Sequence, residues 1–174
     1  MRIKILKHAK HSSRIIYRVS AEKIYTAITS RDGLSAWWTP DTDIKHELYS
    51  VARFGFGPNY FKEMKIEDLK PYARVVWDCI AGADEWIGTT ISFTLHPGGK
   101  ETILNSHPEI KDQVHQQRDS DNATVLIFDH DNWREYSSMF AECNYTWGRF
   151  LRSLKLFCET GRGLPWPNQH RIES

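Results

Sequence analysis

The only compact acid and imidazole cluster in the chain is Asp129–His130–Asp131, residue types that serve as general acids and bases or as metal ligands. Alternation along a strand sends His130 to one face and both aspartates to the other, so a regular strand does not bring the three to one metal. The expected role of His130 is that of a strand-end histidine hydrogen-bonded to a neighbour. His107 and His115 are not spaced i, i+4, the spacing of a helical ligand pair. His8 and His11, in the basic N-terminal segment, are expected to face solvent. Cys143 falls on an apolar helix stripe, where a thiol is a small inert hydrophobe. No GxSxG, HExxH, CxxC, GxGxxG or Walker-type loop is present. The sequence therefore assigns no catalytic residue, no metal and no cofactor.

Aromatic residues carry a different message. Phe, Trp and Tyr make up 13% of the chain, more large rings than a curved sheet seals without voids, and apolar clefts with few polar groups are typical ligand sites. The residues expected to line such a cavity are Trp37, Phe54, Phe56, Trp77, Phe93, Trp133, Met139, Cys143 and Trp147. Asn144 and Tyr145 on the last helix, and Glu63 or Glu85 on strands, are candidates for orienting polar groups.

The elements that position these residues begin at Val19–Pro40. Ser20 can cap a helix through its hydroxyl, and Glu22 sits in the first turn, where the helix dipole favours an anion. Ala21, Ile24, Tyr25 and Ile28 recur at one-face spacing. Arg31–Asp32–Gly33 is read as the break, followed by a short amphipathic turn through Leu34, Trp37 and Trp38. Two adjacent tryptophans ending so short a helix do not both fit one core, so one is expected to face a cavity. Strands are then predicted at residues 42–48, 51–56, 60–69, 73–80, 85–95 and 123–130. The last has apolar residues on both faces, as a doubly covered strand does. Residues 98–121 read as a polar hairpin insertion whose apolar residues Ile110 and Val114 are too few to bury a face. From about 135 to 160, Phe140, Cys143, Trp147, Phe150, Leu151, Leu154, Phe157 and Cys158 recur at three- and four-residue steps, ended by Gly161, Gly163, Pro165 and Pro167. One long helix against an antiparallel sheet buries its stripe only if the sheet curves around it. The fold class is α+β, a helix-grip fold with two short helices after the first strand.

The chain has 174 residues, the length of one domain, with 23 Lys+Arg against 22 Asp+Glu. That balance provides no field to attract nucleic acid. No run approaches a bilayer span, and the basic start lacks the apolar region of a signal peptide. Cys79, Cys143 and Cys158 are odd in number and far apart, as free thiols of a reducing compartment are. The expectation is a cytoplasmic protein with no membrane or nucleic-acid partner, and an open antiparallel edge that allows a homodimer.

The ordered set Val19–Ser20–Ala21, Ile24–Tyr25, Ala27–Ile28, Leu34, Trp37–Trp38–Thr39–Pro40, Phe54–Gly55–Phe56, Leu69–Lys70–Pro71 and Val75–Val76–Trp77 continues with Glu85–Trp86, Thr89–Thr90–Ile91–Ser92–Phe93, His130, Trp133, Tyr145–Thr146–Trp147, Leu151, Ser153–Leu154–Lys155 and Glu159–Thr160–Gly161. It resembles the activator of ninety-kilodalton heat-shock-protein ATPase homologue-like family, within the START and birch-pollen-allergen-like (SRPBCC) superfamily, over about residues 12–163 of a single domain spanning 1–174. The resemblance implies a cavity between the long helix and the concave sheet face, of the kind that binds lipids, aromatic polyketides or other apolar molecules across the superfamily. The function expected is binding of a small apolar or aromatic molecule. Two alternatives remain: a cyclase- or hydrolase-like enzyme using His130 or Glu85, and a stress- or chaperone-associated adaptor.

Overall fold

The computed structural model describes residues 9–116 and 123–172. Strand β1 (Ala9–Tyr17) leads into α1 (Ala21–Thr29) and α2 (Arg31–Trp37). Strands β2 (Asp41–Asp43), β3 (Val51–Gly55), β4 (Phe61–Lys70), β5 (Arg74–Ala81) and β6 (Thr90–Gly98) follow. A helical excursion, β7 (Ala123–Trp133) and α5 (Ser138–Thr160) complete the chain. The seven strands form one curved, unclosed antiparallel sheet in the order β1-β7-β6-β5-β4-β3-β2. The α+β helix-grip reading holds.

Local signals explain the helix starts. The Ser20 hydroxyl accepts from the Lys23 amide, and Ala21, Ile24, Tyr25 and Ile28 are all buried. The break between α1 and α2 falls at Ser30, not at Arg31–Asp32–Gly33. Ser30 donates its hydroxyl to the Thr26 carbonyl and accepts from the Gly33 amide, so one extended residue closes α1 and caps α2. Gly33 is needed for a reason other than a break: a Cβ there would stand 2.6 Å from the Ala27 Cα and carbonyl oxygen. Gly33→Ala is expected to lose about 2 kcal/mol of stability, because overpacking against α1 outweighs the ~1 kcal/mol gained in helix propensity. A shift of the urea midpoint checks this; an unchanged midpoint would show that the two helices separate freely.

The sheet departs from the predicted strands in two places. Only Asp41–Asp43 of the 42–48 stretch pairs with β3. Residues 85–88 are not strand: they make a turn that tucks Trp86 inside, with the Trp86 and Ile87 amides both donating to the Ala83 carbonyl.

The 98–121 stretch is a third correction. It carries α3 (Lys100–Ser106), a 3₁₀ turn (Pro108–Ile110) and α4 (Lys111–His115), with residues 117–121 outside the described part. Ile110 and Val114 do bury, because Ile103 joins them and Ile16, Ala123 and Val125 supply an apolar patch on the convex side of the sheet. This second cluster also makes β7 doubly covered, as its two-faced apolar pattern requires. Gln113 of α4 lies along the edge of β1, accepting from the Ile16 amide at 3.3 Å and donating to the Arg14 carbonyl at 2.9 Å.

The main core fills the concave side, between α1, α2, α5 and the sheet. Helix α5 presents Cys143, Trp147, Phe150, Leu151, Leu154 and Cys158 to it and ends on Gly161 in the left-handed region at φ 80°. All three cysteines are buried free thiols. The segment after α5 runs back across α2. Leu164 donates its amide to the buried Ser153 hydroxyl, which itself donates to the Trp37 carbonyl, and Trp166 donates its amide to the Trp38 carbonyl.

Candidate functional site: an aromatic cavity under the long helix

A cavity of about 200 Å³ lies between α5 and the concave face of the sheet. Helix α5 contributes Met139, Glu142, Cys143, Thr146, Trp147 and Phe150, residues three and four apart on one side of the helix. The end of α2 contributes Trp38, the β3–β4 turn Phe56 and Tyr60, β4 Lys62 and the β5–β6 turn Trp86, while Trp166 and Gln169 come from the C-terminal segment. Apolar surface dominates the lining, as in most small-molecule sites.

Of the expected lining residues, the structure brings Phe56, Met139, Cys143 and Trp147 to this cavity. Trp37, Phe54, Trp77, Phe93 and Trp133 lie in the packed layer behind it. The two tryptophans at the end of α2 do both fit one core, and it is Trp38, not the expected Trp37, that reaches the cavity. Trp37 points away and donates its indole N–H to the Ala27 carbonyl at 2.9 Å. Trp38 lies nearly parallel to both Trp37 and Trp77, with ring centroids 5.9 Å apart in each case, and contacts Phe54 at 4.4 Å. That stack holds the wall plane in one orientation.

His130 is buried and orders the floor of the helix groove. Its Nδ1 accepts the Trp147 indole N–H at 3.0 Å, which fixes the tautomer with the proton on Nε2. Nε2 then donates to the Thr89 hydroxyl at 2.9 Å, and Thr89 donates onward to the Trp86 carbonyl at 2.7 Å. Burial pushes the imidazole pKa well below its ordinary value, in keeping with a neutral ring. Both nitrogens are engaged, so His130 has no lone pair for a substrate. Asp129 and Asp131 lie across the strand beside Lys10, at 3.2 and 3.8 Å. Among the described residues no group of three His, Cys, Asp or Glu side chains could hold a metal ion.

The other polar candidates have partners away from the cavity. Glu85 is exposed and accepts from the Ser137 hydroxyl that caps α5. Asn144 pairs with His11 at 3.0 Å, and Tyr145 stacks on His170 outside the helix. Glu63 sits on the face of β4 opposite Lys62, beside Arg53 in the β3 register. His11 is not solvated: it is buried, stacked on Phe140 with centroids 3.9 Å apart. Strand β1 pairs His11 with His130 of β7 and so carries it into the sheet; His8 lies outside the described residues. His107 is also buried, its Nε2 2.9 Å from Nδ1 of His96.

Lys62 was not anticipated. It is 1% exposed, and its Nζ has no hydrogen-bond partner among the described residues. The ammonium sits over the Tyr60 ring at 3.6 Å and the Trp86 ring at 4.4 Å from the centroids. Burial lowers its pKa to about 8. The signal was present in the spacing, since Lys62, Met64 and Ile66 share one face of β4 and all three are buried. Trp166 and Gln169 were missed because the prolines around them read only as helix stops.

The fold agrees with known proteins. The solved dimer of Aha1 from Colwellia psychrerythraea is similar at 32% identity and TM-score 0.68, covering 89% of this chain and 99% of that one. A protein from Enterococcus faecalis shares 17% identity with TM-score 0.64 over 98% of this chain and 81% of its own. One from Mesorhizobium loti shares 13% with TM-score 0.62 over 84% and 94%. At such identities these last two show the fold alone. None of the curated proteins matches the sequence. The family described as "Activator of Hsp90 ATPase homolog 1-like protein" matches residues 18–143, and the chain belongs to that family.

Proposed function

We propose that this protein binds a small apolar or aromatic molecule in the cavity under α5. The observation that carries the reading is the 200 Å³ space itself, walled by Trp38, Phe56, Trp86, Trp147, Phe150 and Trp166. An apolar cavity of about 150 Å³ accommodates benzene, so this one suits a substituted single ring or two fused rings. Catalysis has little support, because His130 is hydrogen-bonded at both nitrogens and Glu85 lies outside the lining.

Comparison of native and denatured mass spectra of the purified protein tests the reading. The expected result is a non-covalent adduct lost on denaturation, or, from a clean apo protein, saturable quenching of tryptophan fluorescence by 2-naphthol. Neither adduct nor quenching would overturn it.

Two further parts of the proposal are a cytoplasmic location and a homodimer. Three unpaired buried thiols support the first. Among the described residues no helix is long and apolar enough to cross a membrane. The dimer of the Colwellia protein supports the second, and the same native spectrum reads the mass of the assembly.

A further inference from the structure

Lys62 and Gln169 both line the cavity, and each brings a polar atom that the protein leaves without a partner. The Lys62 Nζ is inaccessible and unbonded, and so is the Gln169 Oε1. Among the described residues Glu142 is the one carboxylate in the lining, and it makes no ion pair with the lysine. The nearest polarisable groups are the Tyr60 and Trp86 rings. Two thiols, Cys143 and Cys79, also act on it, and burial keeps both neutral, each raised to about 11. A cation–π contact stabilises an ammonium less than a hydrogen-bonded anion does, so the buried charge remains under-compensated.

The lysine stem is closely packed where it leaves the strand. Gly82, at φ 131°, passes so close that a Cβ there would stand 2.6 Å from the Phe61 carbonyl oxygen and 3.3 Å from the Lys62 Cδ. The β4–β5 register shifts between Glu63 and Met64 beside this contact. The bulge and the glycine pack the methylenes in place. Turning the Gln169 amide about its last torsion would present Nε2 instead of Oε1, giving a second donor in the lining.

We propose that the cavity's ligand is a small aromatic carboxylate, its ring between Trp38, Trp147 and Phe150 and its carboxylate on the Lys62 ammonium, with Gln169 as the second donor. This rests on the cavity being a binding site, and it adds the sign of the ligand's charge. A carboxylate placed there completes the pairing that a buried ammonium requires.

The test uses the isosteric pair 2-naphthoate and 2-naphthamide, titrated by calorimetry at pH 7 into the whole protein and into Lys62→Met. The expected result is that the native protein prefers naphthoate by about thirtyfold, the range of a hydrogen bond to a charged group. Lys62→Met should abolish that preference while holding naphthamide within about threefold of its native affinity, because methionine preserves the apolar stem. Gln169→Leu should reduce the preference by a smaller factor and serves as a second variant should Lys62→Met fold poorly. Equal affinity for the two probes in the native protein overturns the charge assignment and leaves the cavity as a binding site. Binding of neither probe overturns both.

Discussion

Replacing Trp147 by alanine is expected to cost about 4 kcal/mol of folding stability, the upper range for loss of a buried aromatic side chain. Two effects add. The ring contacts Phe128 at 4.5 Å, Trp38 at 5.5 Å and Phe150 at 6.2 Å between centroids, so its removal merges a new void with the existing cavity. It also strips the indole donor from the His130 Nδ1, leaving a buried acceptor unpaired. Trp147→Phe separates the two, since it retains most of the ring and removes only the donor; that variant should lose about 2 kcal/mol. Guanidinium denaturation measures both. If Trp147→Phe were as stable as the native protein, the tautomer-fixed chain from Trp147 through His130 and Thr89 would contribute nothing.

Lys62→Met is expected to act in the opposite direction and to stabilise the apo protein at pH 7. The unfolded lysine titrates near 10.5 and the folded one near 8. Below pH 8 both states are protonated, and the folded state carries the full cost of a buried cation. Between about 8 and 10.5 the unfolded state holds more protons, so stability gains with rising pH until the penalty is gone. The gap corresponds to about 3 kcal/mol, and cation–π contacts to Tyr60 and Trp86 reduce the net benefit of methionine to about 2 kcal/mol. The groups facing Lys62 from neighbouring elements are Tyr60, Cys79, Cys143, Glu142 and His130. Tyr60 is raised to about 12, the thiols to about 11, and His130 is held neutral. Denaturant midpoints of both proteins from pH 7 to 9.5 should therefore converge. A constant or widening difference would mean that the lysine is already neutral, or already paired, at pH 7.

Much of the fold could be read directly from residue order. The serine cap at 20, the apolar stripe of α5 and the glycine after it are local signals, and they locate those helices to within a few residues. Register and depth were less legible, because they depend on which surfaces meet. Nothing local to Ile110 and Val114 reveals that Ile16 and Val125 wait across the sheet for them. His11 looks solvated among lysines until β1 pairs with β7 and carries it under Phe140.

The cavity was half legible for a related reason. Aromatic content pointed to a ring-lined space, the family resemblance put it under α5, and three of the six α5 lining residues, Met139, Cys143 and Trp147, were among those expected. Strand residues were harder, since both Phe93 and Lys62 face inward, and only the curvature of the sheet decides which one meets the cavity. Phe93 instead packs on Trp77 and Phe128, at 5.2 and 5.4 Å.

Gln113 has a consequence for how copies of this protein can meet. Its amide occupies, on β1, the donor and acceptor positions that a visiting strand would use, as a short false strand does. Lys10 and Arg14 add charge along the same margin. At the other end the terminal strand offers only Asp41–Asp43, too short to template continuous pairing. The sheet is thus blunted at both margins against fibrous, edge-to-edge growth, and association between copies falls to helices, loops and side-chain surfaces.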